Sequence, residues 1–155
     1  MYVRKDSSID ILSGFVDASF ASEGVQESRI GYFYMFLGNL VSWCSENPSR
    51  VMTSSTEAEC RGLVHFSKEN IWHRQFHNEL GLFNILKPTV VYENNTAAIS
   101  MANNPGVPHK RSKHFGIEFA FFKQCVTLKE IKLAHLSTEE QPADLLTKTN
   151  EVHQV

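Results

Sequence analysis

The chain has 155 residues, of which 42% are hydrophobic and 21% charged, the size and balance of one globular domain with a single core rather than two. Its formal net charge of −2 excludes nucleic-acid binding by bulk positive charge, so any such binding must rest on local basic clusters. No stretch approaches the ~18 uninterrupted apolar residues of a membrane span, and Met1-Tyr2-Val3-Arg4-Lys5-Asp6 lacks the apolar core of a signal peptide, so the expectation is a soluble intracellular chain without a membrane partner.

Residues 1–10 read as a polar lead-in to a domain over 11–148. Ile11-Leu12-Ser13-Gly14-Phe15-Val16 runs apolar into Asp17-Ala18-Ser19 and predicts a first strand. An acid directly after a buried run sits where sites form in open α/β sheets, or simply begins a turn, which leaves Asp17 as a candidate. Residues 20–28 are polar and read as a loop. Gly31 to Leu37 is a second strand, Gly38-Asn39 a two-residue hairpin link, and Leu40-Val41-Ser42-Trp43-Cys44 an antiparallel third strand. The three cysteines, Cys44, Cys60 and Cys125, lack metal-type spacing and lie in apolar runs, as buried thiols in a reducing compartment do.

Ser54-Ser55-Thr56-Glu57-Ala58-Glu59 opens the longest helix, Thr56 to Leu80, which Gly81 ends. Ser54-x-x-Glu57 and Thr56-x-x-Glu59 both fit the capping pattern in which a hydroxyl takes an orphan N–H and an acid three residues on reaches back. Both acids thus have an ordinary explanation as caps and dipole partners. Glu59 differs in standing beside the apolar stripe Cys60, Leu63, Val64, Ser67 and Ile71, at the rim of a buried face. His73 and His77 on the same helix have the spacing of a metal-binding pair but no third ligand nearby, and read as a solvated helix face.

After Pro88, Thr89-Val90-Val91-Tyr92 predicts a fourth strand, followed by the polar cluster Glu93-Asn94-Asn95 and a short helix from Thr96 to Ala102. Asn103 to Pro108 must be loop. It leads into His109-Lys110-Arg111-Ser112-Lys113-His114, the densest positive patch of the chain, suited to a phosphate backbone or else a solvated turn. A helix over Phe115 to Thr127 and a strand over Glu130 to Leu136 follow. Thr138-x-x-Gln141 reads as a further capping box, with Pro142 in the first turn and Asp144 one turn inside a last helix reaching Lys148. Residues 149–155 form a tail.

This order predicts an α/β domain with strands one, four and five parallel through helical crossovers. Asp17, Glu59, the polar cluster after strand four and Asp144 would then converge on one edge. Carboxylates so gathered repel one another unless divalent metal joins them, and hard cations such as Mg²⁺ choose oxygen ligands. Such a site suits two-metal phosphodiester hydrolysis.

The sequence resembles the ribonuclease H domain of copia-type LTR retrotransposon Pol polyproteins over nearly its whole length. The residues that carry the likeness are Gly14-Phe15-Val16-Asp17-Ala18-Ser19, Ile30-Gly31-Tyr32 with Val41-Ser42-Trp43, Ser54 to Glu59, Tyr92-Glu93-Asn94-Asn95 with Ala98-Ile99, Asn104-Pro105, Arg111-Ser112-Lys113-His114, and Gln141-Pro142-Ala143-Asp144-Leu145-Leu146-Thr147-Lys148. The resemblance implies a ribonuclease H-like fold, a mixed five-stranded sheet flanked by helices. It also implies cleavage of the RNA strand of RNA–DNA hybrids with two Mg²⁺ or Mn²⁺ ions, a reverse transcriptase domain as neighbour, and a place in the cytoplasm, a virus-like particle or the nucleus. Carried over by position, Asp17, Glu59 and Asp144 match the family's metal-binding acids.

The third catalytic aspartate of that family falls on Asn94, which offers a carbonyl oxygen but no charge. Its neighbour Glu93 is expected to be a poor substitute, since side chains alternate along a strand and the neighbour of a ligand points away. An aspartate of the family pattern is also replaced by Ser19 and another by Gly116. The resemblance therefore implies either an impaired ribonuclease or a catalytically inactive nucleic-acid-binding remnant of the same fold, a fragment of a longer polyprotein.

Overall fold

The computed structural model describes residues 10–20, 28–48, 52–81, 86–104 and 116–148. In chain order these hold β1 (Leu12–Ser19), β2 (Arg29–Phe36), β3 (Asn39–Glu46), α1 (Ser55–Glu79), β4 (Thr89–Glu93), α2 (Thr96–Asn103), α3 (Gly116–Thr127), β5 (Ile131–His135), a 3-10 turn (Thr138–Glu140) and α4 (Asp144–Thr147). The strands make one mixed sheet in the order β3-β2-β1-β4-β5. It is antiparallel from β3 to β1 and parallel from β1 through β4 to β5, as the helical crossovers require. Among the described residues no helix is long and apolar enough to cross a membrane.

The hairpin turns one residue earlier than the sequence suggests. Phe36 pairs with Asn39, so the link is Leu37-Gly38 rather than Gly38-Asn39, with φ of 48° and 77°. Two left-handed central residues give the primed turn whose twist suits adjacent antiparallel strands. The Asn39 side chain supports it by donating to the Leu37 carbonyl at 3.1 Å.

Alternation along the strands decides what each face buries. Leu12, Val16, Tyr32, Tyr34 and Val91 face α1 and share one core with Leu63, Val64 and Phe66 of α1, Ala98 of α2 and Phe122 of α3. Glycine permits the close approach: a Cβ at Gly14 would lie 2.0 Å from Phe66 Cε2, and one at Gly62 2.9 Å from Val16 Cγ1. The opposite face carries α4. A Cβ at Gly31 would stand 2.7 Å from Leu146 Cβ, and Gly31 is the β2 partner of Asp17, so α4 lies over the end of β1.

The start of α1 uses one of its two possible caps. Ser54 Oγ accepts from the Glu57 N–H at 3.1 Å, while the Glu57 carboxylate accepts from Thr53 N–H and Oγ1 at 2.9 and 2.7 Å. Thr56 lies inside the helix, which leaves Glu59 free of capping. Gly81, with φ of 63°, ends the helix in the left-handed conformation. The reading of His73 and His77 as solvated is overturned. Both are buried, stacked on Tyr34 and Phe36 with ring centroids 4.3 Å apart in each case, because α1 lies flat on the sheet along its full length. Cys60 and Cys125 are buried thiols and Cys44 is half-buried.

Candidate active site

β1 and β4 pair from Ser13↔Val90 to Phe15↔Tyr92, and just beyond this ladder the candidate side chains collect. Gln141, 4% exposed, bridges the two strands: its Nε2 donates to Val16 O at 2.8 Å and to Tyr92 O at 3.4 Å. The expected single helix from Thr138 to Lys148 is therefore not formed. Thr138–Glu140 make a 3-10 turn closed by Ser137 Oγ donating to Glu140 at 2.9 Å, Gln141 turns inward, and α4 starts only at Asp144. A donor that satisfies buried strand carbonyls outweighs one more helical turn.

α4 holds Asp17 in place. Thr147 Oγ1 donates to Asp17 Oδ2, and Asn94 Nδ2 donates to Asp17 Oδ1 at 3.4 Å. Asp144, one turn before Lys148, forms an ion pair with it. Glu59 reaches the same edge from α1 and accepts from the Ala18 N–H. The structure thus brings together Asp17, Glu59, Asn94 and Asp144, with Asp17 and Glu59 each 5% exposed. The segment from His109 to His114 lies outside the described residues. Of the two family departures, Ser19 accepts from the Arg29 N–H at 3.2 Å, and Gly116 opens α3 with nothing within 4 Å of a Cβ there.

Glu93 turns to the face opposite Asn94, as the alternation along a strand requires. Phe15 stacks on Tyr92 at 5.0 Å and Asn94 touches Asp17, so 15, 17, 92 and 94 share the α4 side of the sheet. Val16 and Val91 share the α1 side, and Glu93 goes with them. Pointing away from Asn94 therefore means pointing toward the helix that carries Glu59. Glu93 is fully buried; its Oε1 accepts from the Asn95 N–H at 2.9 Å, while its Oε2 and Glu59 Oε2 have no partner.

The electrostatics follow this crowding. Burial pushes the Glu59 carboxyl well above the usual range, and the charges of Glu93, Asp17 and Asp144 push it further. Burial likewise raises Glu93, against the backbone donors at Asn95 and Asn94 and with the Asp17 charge adding to it. Asp17 is raised by burial and by Asp144, opposed by the Thr147 and Asn94 donors. A cavity of about 470 Å³ lined by Ile71, Arg74, Gln75, Asn78, Glu79 and Glu130 shares no residue with this edge.

The donors present are the hard oxygens that Mg²⁺ and Mn²⁺ select, and two of them are buried without a partner. The chemistry of the donor set therefore fits such ions. Among the described residues no three acids or other ligating side chains close on a single point. Asp17 is held by Thr147 and Asn94 and Asp144 by Lys148, so ligation would exchange these donors of the chain for the cation.

No protein-family model matches the chain. The "Retrovirus-related Pol polyprotein from transposon TNT 1-94" of Nicotiana tabacum is 37% identical over 139 residues, 89% of this chain and 10% of that protein. The chain thus spans about a tenth of the length of the curated relatives it matches. Among solved structures, LC11 ribonuclease H1 in complex with RNA/DNA hybrid superposes with a TM-score of 0.62 at 17% identity, covering 88% of this chain and 93% of that one. The foamy viral protease-reverse transcriptase in complex with RNA/DNA hybrid gives 0.59 at 16% identity, covering 95% of this chain and 21% of that one. The chain has the ribonuclease H fold and is related to one segment of a plant transposon's retrovirus-related Pol polyprotein.

Proposed function

We propose that the chain binds RNA–DNA hybrid across its acidic edge and hydrolyses the RNA strand with divalent cations, at a rate held down by Asn94. The observation that carries this is the meeting of buried Asp17 and Glu59 with Asp144 and Asn94 where β1 and β4 end. Two Mg²⁺ or Mn²⁺ ions bound there would supply a hydroxide at neutral pH and charge stabilisation for the leaving oxygen. The chain's own part is to hold the carboxylates. Thr147 and Asn94 fix the rotamer of Asp17, Gln141 ties α4 to the two strands, and burial of Glu59 keeps bulk water from its inner oxygen. The His109, Lys110, Arg111, Lys113 and His114 patch is proposed to grip phosphates without reading bases. A reverse transcriptase domain of the parent polyprotein is the proposed neighbour, since the foamy viral chain matched over 21% of its length is a protease-reverse transcriptase.

A second reading, hybrid binding without cleavage, draws on Asn94 and Lys148, each of which sets a chain donor on a site acid. Gel assays of hybrid cleavage with Mg²⁺ and Mn²⁺, beside band shifts, separate the two. Asn94→Asp keeps the shape of the side chain and adds a charge, and should raise cleavage by roughly 10²–10³, the usual worth of one such electrostatic contact. Asp17→Asn in that background should abolish the gain. A restored variant that folds, binds hybrid and does not cut would establish the second reading.

A further inference from the structure

Two carboxylate oxygens on the α1 side of the sheet stand out from the rest of the molecule. Glu59 Oε2 and Glu93 Oε2 are buried without a partner on residues 5% and 0% exposed. Backbone N–H groups hold the two carboxyls, that of Ala18 on Glu59 and those of Asn95 and Asn94 on Glu93, and leave one oxygen of each buried without a partner. A buried carboxyl oxygen without a partner is costly, and two of them on facing elements are more so. Arg61 of α1 is engaged by Glu57 at 3.2 Å and Glu118 at 3.6 Å. The pattern of strands and helix brings the two acids together: Val16, beside which Glu93 emerges from β4, packs on Gly62, one turn along α1 from Glu59.

We propose that Glu93, rather than Asn94, is the anionic ligand β4 contributes, and that Glu59 Oε2 and Glu93 Oε2 form a subsite for one hard divalent cation on the α1 side of the sheet. Its occupant is of the Mg²⁺ or Mn²⁺ kind, because both donors are carboxylate oxygens, and the buried Cys60 thiol beside them is held protonated by burial and by the charges of Glu93 and Glu59. The acid that β4 does carry stands one residue before Asn94, on the opposite face, and leaves the α4 side of the edge without that charge. The subsite shares Glu59 with the proposed catalytic edge and to that extent rests on the same reading.

The test is Mn²⁺ binding to the full chain at neutral pH, followed by electron paramagnetic resonance and by the Mn²⁺-induced rise in Tm. Glu93→Gln should weaken Mn²⁺ at least about tenfold, the effect expected from losing one charged ligand, and shrink the rise in Tm; Asn94→Ala should weaken it less than about threefold. Glu93→Gln replaces a buried acid by a neutral amide of the same shape, so its metal-free Tm should equal or exceed that of the wild type. Wild-type affinity in Glu93→Gln, or a larger loss in Asn94→Ala, overturns the assignment, as does a wild-type chain that binds no Mn²⁺. If Mn²⁺ binding depends on Glu93 while neither wild type nor Asn94→Asp cuts hybrid, the subsite stands and the ribonuclease reading falls. Cleavage combined with Glu93-independent Mn²⁺ binding has the reverse meaning.

Discussion

Replacing Glu59 and Glu93 together by glutamine should stabilise the metal-free protein, and increasingly so as the pH rises. Both carboxyls titrate above the ordinary value of about 4.5 in the folded chain because they are buried. Below that pH folded and unfolded states are both protonated and the groups contribute nothing to the pH dependence. Above it the unfolded chain releases protons that the native state retains, so stability falls by up to about 1.4 kcal/mol per pH unit for each retained proton, until the folded carboxyls ionise as well. Urea unfolding across this window should show a steeper decline in the wild type than in the double variant, where Asp17 still holds a raised carboxyl. A parallel decline in both would mean that these groups are not its source. Asp17 and Glu59 were legible as candidates because a strand end and a helix rim mark them. Glu93 was not, since alternation tells which face a side chain takes but not what another element has placed there. His73 and His77 hid for a related reason: Phe66, Asn70, His73 and His77 have helical spacing and are all buried, but three of those four are residues a count of apolar letters passes over.

Among the described α-helices, α4 is the shortest and the most dependent on its neighbours. Gly31→Ala would set a methyl 2.7 Å from Leu146 Cβ, 3.0 Å from Thr147 Cγ2 and 3.3 Å from the Ala143 carbonyl. Backbone is among those atoms, so the helix itself must shift. The expected cost is about 1–3 kcal/mol in chemical denaturation, with weaker cleavage by an Asn94→Asp background as Asp17 loses the Thr147 hydroxyl. Gly116→Ala, which meets open space, serves as the control and should change stability by less than about 0.5 kcal/mol; equal losses in the two would refute a specific role for the α4 contact. α1 was readable from both of its ends, since a serine cap and a left-handed glycine act locally. The last helix was not, because the partners that stop it, Val16 O and Tyr92 O, lie 125 and 49 residues away. The one-residue displacement of the hairpin has a local cause, the admission of Leu37 to a left-handed position that residue preferences assign to glycine or asparagine.

At the scale of the molecule, sheet topology was the most legible feature, because strand lengths, turn residues and right-handed crossovers leave few arrangements. What sequence order could not supply was the division of the acids between two faces of one sheet. A hybrid laid across such an edge meets concentrated negative charge, in a protein whose formal net charge is −2, and needs cations of the chain to hold it. Charge reversal at Lys110, Arg111 and Lys113 should therefore weaken hybrid binding and flatten the dependence of log K on log salt, since fewer counterions are released. Filter binding over a range of salt concentrations measures both. An unchanged slope would make that segment a solvated turn.

The bridge from Gln141 to the two strand ends also fixes when the site can exist during synthesis. Residues 12–93 contain four of the five strands and the longest helix, and can begin to collapse while the remainder is still being translated. The edge then carries Asp17, Glu59 and Glu93 alone. It lacks the hydroxyl that steadies Asp17 and the amide that joins Val16 to Tyr92, both of which arrive more than a hundred residues after β1. Closing so long a loop is slow compared with local structure, so the acidic edge is completed after the scaffold that presents it.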